Sequence, residues 1–263
     1  ITGVRRIGHA GTLDPLATGV LVVCVGAATR LADYLMDGDK RYLATLQLGV
    51  ETNTWDAEGE VVAEGDTTGL TPERVQGACV AFLGEFAQTP PLYSAIKRDG
   101  QPLYRWARRG RAVEVAPRMV SIRSIELVSF ALPLVTLDIV CGKGTYIRSL
   151  AHDVGAALGC GAHLAALRRL RAGAQDIADA VPLGDLTPDN WRAHLISPWE
   201  ALAEHPRVTI SPEQRAELLL GRAIVLAEAV GERCFAFADD HELVAVLVRD
   251  GEPGRWRPVK VWP

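Results

Sequence analysis

The chain has 263 residues, of which 48% are hydrophobic and 23% are charged, and its formal net charge is −4. A prior of about 150 residues per domain predicts two domains, and a chain of this length buries enough surface to need no cross-links. The five cysteines form no Cys-x-x-Cys pair, which argues against a disulfide framework or a zinc knuckle and favours the reducing cytoplasm. The longest apolar run, residues 19–28, is too short to cross a bilayer, so the sequence does not predict a membrane protein.

Apolar spacing and turn residues predict an α+β fold for most of the chain. The helix that starts near residue 71 begins typically, with Thr71 as the cap and Pro72 in the first turn. Alternation places Tyr42 on the buried face of its strand. In chain order, the predicted elements are a strand at 18–26, a helix at 27–37, a strand at 40–48, a helix at 71–86, strands at 120–130 and 134–141, and a helix at 145–158.

After Pro198 the pattern changes to that of a small β-rich module. A short helix at 212–220 precedes three strand-like stretches at 234–238, 243–248 and 256–261. We therefore predict a larger domain at 1–203 and a second domain at 204–263.

Charge is distributed unevenly along the chain. Eight acidic and two basic residues lie between positions 37 and 66, whereas eight basic and two acidic residues lie between positions 97 and 123. A third stretch, 143–171, carries five basic residues and one acidic residue. Arginines interleaved with aromatic residues are typical of a surface that binds a phosphate backbone. A solvated helix face accounts for the same pattern equally well.

The most informative stretch is GHAGTLDPLATGVL at residues 8–21. An Asp-Pro step such as Asp14-Pro15 is a common way to begin a turn, but a turn alone does not require His9, Gly11 and Gly19 as well. The spacing of a Walker-type phosphate loop is absent from the chain.

This stretch resembles the active-site motif of the TruB family of pseudouridine synthases, whose essential catalytic residue is the aspartate that corresponds to Asp14. The family's first block, a strand with a Lys-Pro-x-Gly-x-Ser pattern, has no counterpart in this chain, which starts at Ile1. The other blocks occur in the family's order: KRY at 40–42 with LG at 48–49, PPLYSAIK at 90–97 with GQPLY at 100–104, GKGTYIRSL at 142–150, and HLAALRR at 163–169.

The resemblance implies a catalytic domain with a mixed, mainly antiparallel sheet flanked by helices, followed by a small PUA-like RNA-binding barrel. It also implies a basic insertion at about 89–118 that grips tRNA. The implied reaction is the isomerisation of uridine to pseudouridine at position 55, in the T-loop of tRNA. Neither a cofactor nor a metal is expected, and the implied enzyme is a cytoplasmic monomer.

Three residues are implied as catalytic. Asp14 attacks the substrate covalently or stabilises a cationic sugar, and Arg148 is the expected partner because a nearby guanidinium favours the ionised carboxylate. Tyr42 is expected to stack on the extruded uracil and to take part in removing the C5 proton. The structural alternatives are a surface charge for Arg148 and a core aromatic for Tyr42.

The remaining expected site residues bind the substrate. Tyr146 and Leu167 are expected to line the base pocket, and His9 to fill the space that the flipped base leaves or to contact the backbone of the RNA loop. Each has a structural alternative: a packing aromatic, a core leucine and a hydrogen-bonding histidine. The residues expected to bind tRNA through the insertion are Lys97, Arg105, Arg108 and Arg109.

Two other functions fit parts of the sequence. An RNA-binding folding chaperone would use the basic segments with an inactive pocket. A metal-dependent nucleic-acid hydrolase would need clustered metal ligands, for which the sequence gives no spacing.

The basic insertion yields a direct prediction. Replacing Arg105, Arg108 and Arg109 together by glutamine should weaken tRNA binding and flatten its salt dependence, by about 1 in log–log slope for each phosphate that the variant no longer neutralises. Filter binding of tRNA over a range of salt concentrations measures this slope. An unchanged slope would mean that the segment is only a solvated face.

Overall fold

The computed structural model describes residues 1–94, 97–98, 100–102, 106, 115–227 and 231–262. The strands are β1 (Ile7–His9), β2 (Ala17–Gly19), β3 (Val23–Val25), β4 (Lys40–Leu48), β5 (Val50–Thr52), β6 (Val61–Glu64), β7 (Gly84–Gln88), β8 (Lys97–Arg98), β9 (Gln101–Pro102), β10 (Arg118–Ala131), β11 (Leu134–Cys141), β12 (Ala162–Ala172), β13 (Gln175–Asp176), β14 (Arg207–Thr209), β15 (Ile224–Val225), β16 (Arg233–Phe237), β17 (Leu243–Arg249) and β18 (Arg255–Val261). The α-helices are α1 (Ala32–Leu35), α2 (Pro72–Val80), α3 (Ile147–Leu158), α4 (Pro198–Ala201) and α5 (Pro212–Leu219), and short 3-10 helices occupy Gly26–Leu31, Ile177–Asp179, Leu183–Asp185 and Trp191–His194. Within the described ranges, no helix combines the length and apolarity needed to cross a membrane.

The larger part of the chain is built on a seven-stranded sheet with the order β13-β12-β4-β11-β10-β7. Neighbours along this path are antiparallel, and β2 joins the sheet by pairing with β12 in parallel. The predicted α+β class with a mixed, mainly antiparallel sheet is confirmed.

Helices α2 and α3 cover one face of this sheet, and the alternation in β4 and β11 explains why. Ala44, Leu46 and Leu48 are each at most 1% exposed, as are the alternate residues of β11. They pack with apolar residues of the two helices into the main core. The strands predicted at 40–48 and 134–141 therefore form, the first of them with its predicted buried face.

Three predicted elements differ in their bounds. The helix expected to run to Phe86 ends at Val80, because Gly84 adopts a left-handed φ of 85° and the next residues pair with β10 as β7. The strand expected at 18–26 is two short strands, β2 and β3, and the helix expected at 27–37 is a 3-10 helix followed by α1. The chain leaves β2 at Val20, whose N–H donates to the Arg169 carbonyl at 2.9 Å.

A second sheet, with the order β14-β16-β17-β18-β15, forms the β-rich C-terminal module. This open sheet is consistent with the predicted PUA-like barrel. One side of it packs against the segment 26–35, where the rings of Tyr34 and Phe235 meet edge to face at 5.3 Å. Arg30 and the strand β18 exchange two hydrogen bonds, Arg30 Nη1 to the Val261 carbonyl at 2.6 Å and Lys260 Nζ to the Arg30 carbonyl at 2.8 Å. The domain division at 203/204 stays a prediction.

Because β2 lies so close to β12, we expect any side chain at position 19 to destabilise the fold. Gly19 has a φ of 97°, and a Cβ there would lie 2.1 Å from the carbonyl oxygen of Arg169. We expect Gly19→Ala to lower the free energy of unfolding by about 2–3 kcal/mol, because it combines backbone strain with a clash against backbone. Urea denaturation followed by circular dichroism measures this loss.

Gly26→Ala is the matched control. Gly26 also has a positive φ, 63°, but no atom lies within 4 Å of its added Cβ. Gly26→Ala should lower the free energy of unfolding by only about 1 kcal/mol, from backbone strain. Equal losses in the two variants would contradict the close approach.

Candidate active site

The loop between β1 and β2 carries Asp14 on a turn. The Asp14 carbonyl accepts a hydrogen bond from the Ala17 N–H at 2.9 Å, with Pro15 as the second residue of the turn. Proline favours this position because its φ is already fixed near the required value. The main chain of Asp14 thus starts a turn, as the structural reading of the sequence expects, while its side chain is free to make another contact.

A buried arginine of β12 fixes both ends of this loop. Arg169 is 1% exposed, and its guanidinium donates to the Val20 carbonyl at 2.7 Å and to the Gly11 carbonyl at 3.1 Å. Two of the five basic residues in the stretch 143–171, Arg148 and Arg169, are buried, so they belong neither to a solvated face nor to an exposed phosphate-binding surface.

Arg148 holds the Asp14 carboxylate through two hydrogen bonds. Its Nε and Nη2 donate to Oδ2 and Oδ1 of Asp14 at 2.9 and 2.8 Å, the side-on geometry of a strong charge-assisted pair. The Arg148 side chain is 5% exposed, whereas that of Asp14 is 29% exposed. The carboxylate is therefore accessible from outside while the cation that holds it is not.

The opposite side of the Arg148 guanidinium contacts a second carboxylate, which sequence reasoning missed. Nη1 lies 3.2 Å from Oδ2 of Asp56, whose side chain is 5% exposed. Nη1 also approaches the Thr54 carbonyl at 3.5 Å, and Nη2 donates to the Tyr93 carbonyl at 3.0 Å. Asp56 is one of eight acidic residues between 37 and 66, and nothing in its spacing distinguishes it from the others.

The turn that carries Asp56 is itself tightly fixed. Oδ1 of Asp56 accepts from the Thr54 hydroxyl at 2.6 Å and from the Glu58 N–H at 3.1 Å. Trp55, between them, has a φ of 63°, a left-handed conformation that costs a bulky residue of order 1–3 kcal/mol. The Leu164 N–H donates to the Trp55 carbonyl at 3.0 Å and attaches this turn to β12.

Arg148 lies in the first turn of helix α3, two residues after the cap residue Tyr146. The side chain of Gln88 binds the backbone of Tyr146 in both directions, accepting from its N–H at 2.8 Å and donating to its carbonyl at 3.1 Å. The Ser149 hydroxyl donates to the Thr89 carbonyl at 2.8 Å. The base of the insertion is thereby attached to the start of the helix that carries Arg148.

Tyr42 lies opposite Arg169 in the pairing of β4 with β12, and Tyr146 caps the helix whose first turn carries Arg148. Burial raises the pKa of Tyr42 above its ordinary value, and the adjacent Arg169 guanidinium opposes this rise. Burial also raises the pKa of Tyr146, with Arg148 among the groups that oppose it. Asp14 and Arg148 are therefore in direct contact, and the two tyrosines lie next to the two arginines that hold the Asp14 loop.

The other expected site residues fall in different environments. Leu167 is 6% exposed and lies in β12 between Ala17 and Ala44, where it belongs to the main core. His9 is exposed at the end of β1.

The expected tRNA-binding residues of the insertion lie largely beyond what the structure describes. Arg105, Arg108 and Arg109 fall outside the described residues, and Lys97 is described only as part of the backbone of β8. Across the described ranges, no three His, Cys, Asp or Glu side chains are placed to hold a metal ion.

The comparisons with known proteins show that the chain is a pseudouridine synthase. The crystal structure of a Cbf5–Nop10–Gar1 complex matches this chain with a TM-score of 0.73 and 27% sequence identity, over 99% of this chain and 76% of that chain.

The sequence comparisons identify the family more narrowly. A model of the TruB family pseudouridylate synthase N-terminal domain matches residues 1–147, and one of the tRNA pseudouridylate synthase B C-terminal domain matches residues 148–204. The chain belongs to the TruB family.

Two curated proteins that are similar to this chain are both described as tRNA pseudouridine synthase B. The tRNA pseudouridine synthase B of Syntrophotalea carbinolica is 47% identical over 214 residues, which cover 80% of this chain and 70% of that protein. The tRNA pseudouridine synthase B of Francisella philomiragia is 42% identical over 250 residues, which cover 94% of this chain and 82% of that protein.

The burial of Tyr42 predicts that its phenol ionises at a higher pH than an exposed tyrosine does. Because burial raises its pKa above 10.0, the phenol should keep its proton beyond pH 10, where an exposed tyrosine is half ionised. Ultraviolet absorbance titration of the native protein and of Tyr42→Phe measures this, since the difference isolates one of five tyrosines. A difference transition at or below pH 10 would show that Tyr42 is solvated.

Proposed function

We propose that this protein isomerises uridine to pseudouridine in tRNA, at position 55 of the T-loop. In this reaction the C1′–N1 glycosidic bond breaks, a C1′–C5 bond forms, and one proton leaves C5 while another binds N1. The reaction involves no net oxidation and no net consumption of water, so it requires no redox cofactor. The observation that carries the proposal is the accessible Asp14 carboxylate held by the buried Arg148 guanidinium at 2.8 and 2.9 Å in a TruB-family chain.

Asp14 is the proposed catalytic residue. A carboxylate at the glycosidic bond acts either as a nucleophile or as the counter-charge of a cationic sugar. Both roles require an ionised group oriented toward the substrate, and the two hydrogen bonds from Arg148 support both requirements. We therefore assign Arg148 to the orientation and charge of Asp14.

The target uridine must leave its stack in the RNA to reach Asp14, at a cost of a few kcal/mol. Stacking on an aromatic side chain returns about 1–3 kcal/mol per base. We assign this stacking to Tyr42, which lies opposite Arg169 in the sheet and is only partly buried against the core. Tyr146 and Leu167 are proposed to bound the pocket, and the exposed His9 to contact the RNA.

Tyr42 is also proposed to take part in removing the C5 proton. A phenol can accept that proton only after losing its own, and burial disfavours this loss by raising the pKa of Tyr42. The Arg169 guanidinium acts in the opposite direction, since a neighbouring positive charge favours the phenolate.

The proposed partner is the T-arm of tRNA. The basic insertion at 89–118, with Lys97, Arg105, Arg108 and Arg109, is proposed to grip it, and the C-terminal module is proposed to add RNA contacts. Asp14, Arg148 and both tyrosines come from one chain, which supports a monomer as the active form. A tRNA substrate supports a cytoplasmic location for the reaction.

Asp14→Asn tests the catalytic assignment. The amide oxygen still accepts a hydrogen bond from Arg148, but it is a poor nucleophile and carries no charge. We expect the rate of tritium release from tRNA with C5-labelled uridine to fall by roughly 10³-fold or more. The affinity for tRNA, measured by filter binding, should stay within about twofold because the contacts to the RNA backbone are unchanged.

Asp138→Asn is the matched control. Asp138 accepts from Arg41 in the same side-on geometry, at 2.9 and 2.7 Å, but that pair lies on the surface with Arg41 49% exposed. Its loss should leave tritium release at the wild-type rate. A wild-type protein that binds tRNA without releasing tritium would instead favour a folding chaperone.

A further inference from the structure

The indole ring of Trp55 stacks on the imidazole ring of His152, with ring centroids 4.5 Å apart and planes 11° from parallel. His152 lies four residues after Arg148 in α3, so the two side chains leave the same face of the helix one turn apart. Trp55 directly precedes Asp56. The stacked rings thus join the same two elements that the Arg148–Asp56 ion pair joins.

The backbone of Trp55 shows why this second connection matters. Its left-handed φ of 63° reverses the chain so that Thr54 and Asp56, on either side, both approach the Arg148 guanidinium. A bulky residue keeps such a conformation only where its surroundings hold it in place. The Leu164 N–H holds its carbonyl, and His152 holds its ring.

His152 contributes to this contact through the face of its ring. Its Nδ1 atom is buried and has no hydrogen-bond partner among the described residues. A stacked, flat ring at this position is therefore the feature that the contact uses, and another flat ring should replace it.

We propose that Trp55 and His152 are positioning residues for the reaction of Asp14. Their stack fixes the turn that holds Thr54 and Asp56 against Arg148. Arg148 is thereby fixed in the orientation in which its Nε and Nη2 hold Asp14. This inference rests on the proposed function, because its effect is measured on pseudouridine formation.

The test compares the rate of the reaction with the binding of tRNA. With enzyme in excess over labelled tRNA, His152→Ala should slow single-turnover pseudouridine formation by about tenfold or more, because small displacements of a reacting group are costly. The Kd for tRNA should remain within about twofold of wild type. His152→Phe keeps a flat ring against Trp55 and should restore the rate to within about threefold of wild type.

A second histidine–tryptophan stack in this chain provides the control. The His241 and Trp199 rings stack with centroids 4.1 Å apart and planes 5° from parallel, where α4 meets the C-terminal module and not at Arg148. His241→Ala likewise removes the imidazole from a stack with an indole ring, but its single-turnover rate should stay at the wild-type value. A similar loss of rate in both variants would show that the effect of His152 is general destabilisation and would overturn the proposal.

Trp55→Gly removes the ring while glycine still accepts the left-handed φ. It should slow the reaction as His152→Ala does, and the double variant should be no slower than the slower single one, because both remove one contact. If His152→Ala does not fold, as judged by circular dichroism, Trp55→Gly provides the same comparison.

Rates within twofold of wild type for the folded variants would overturn this inference and leave the proposed function intact. A wild-type protein that forms no pseudouridine would contradict the proposed function itself.

Discussion

The arrangement of the whole site depends on one buried cation, the guanidinium of Arg148. Burying such a group is costly unless its charge is neutralised and its N–H groups are bonded. Here two carboxylates, those of Asp14 and Asp56, and the carbonyls of Thr54 and Tyr93 supply these partners. Asp14 is the more accessible of the two carboxylates, so the interactions that satisfy the buried cation also present one oriented negative charge to the exterior.

A second buried arginine complements this arrangement from the other side of the loop. Arg169 bonds backbone carbonyls and fixes the main chain around Asp14, whereas Arg148 bonds the carboxylate and fixes the side chain. The contacts of Arg169 explain why the loop needs Gly19. The backbone of β2 must lie close to β12 for the Arg169 side chain to reach the carbonyls of the loop. The main chain and the functional group of Asp14 are thus positioned by different elements, β12 and α3.

Sequence reasoning predicts those parts of the molecule in which local pattern and tertiary packing agree. The alternation in 40–48 predicts that strand and its buried face, and the strand predicted at 134–141 also forms. By contrast, β12 consists mainly of alanine, leucine and arginine, which favour helices. It forms a strand because it pairs with β4.

The candidate site divides in the same way. The motif blocks predict Asp14 and Arg148, which meet across the fold. Asp56 and the Trp55–His152 stack depend on a left-handed turn between two polar residues, which no spacing rule marks. These residues become visible only once the turn and the helix α3 are placed together.

The partners of Arg148 lie far from it along the chain, with separations of 134 residues to Asp14, 94 to Thr54 and 55 to Tyr93. Contacts of such long range form late, because the entropy of closing large loops must be overcome first. A nascent chain still emerging from the ribosome therefore has an N-terminal loop without its cation until α3 has left the exit tunnel. Until then, Asp14 lacks the partner that orients its carboxylate.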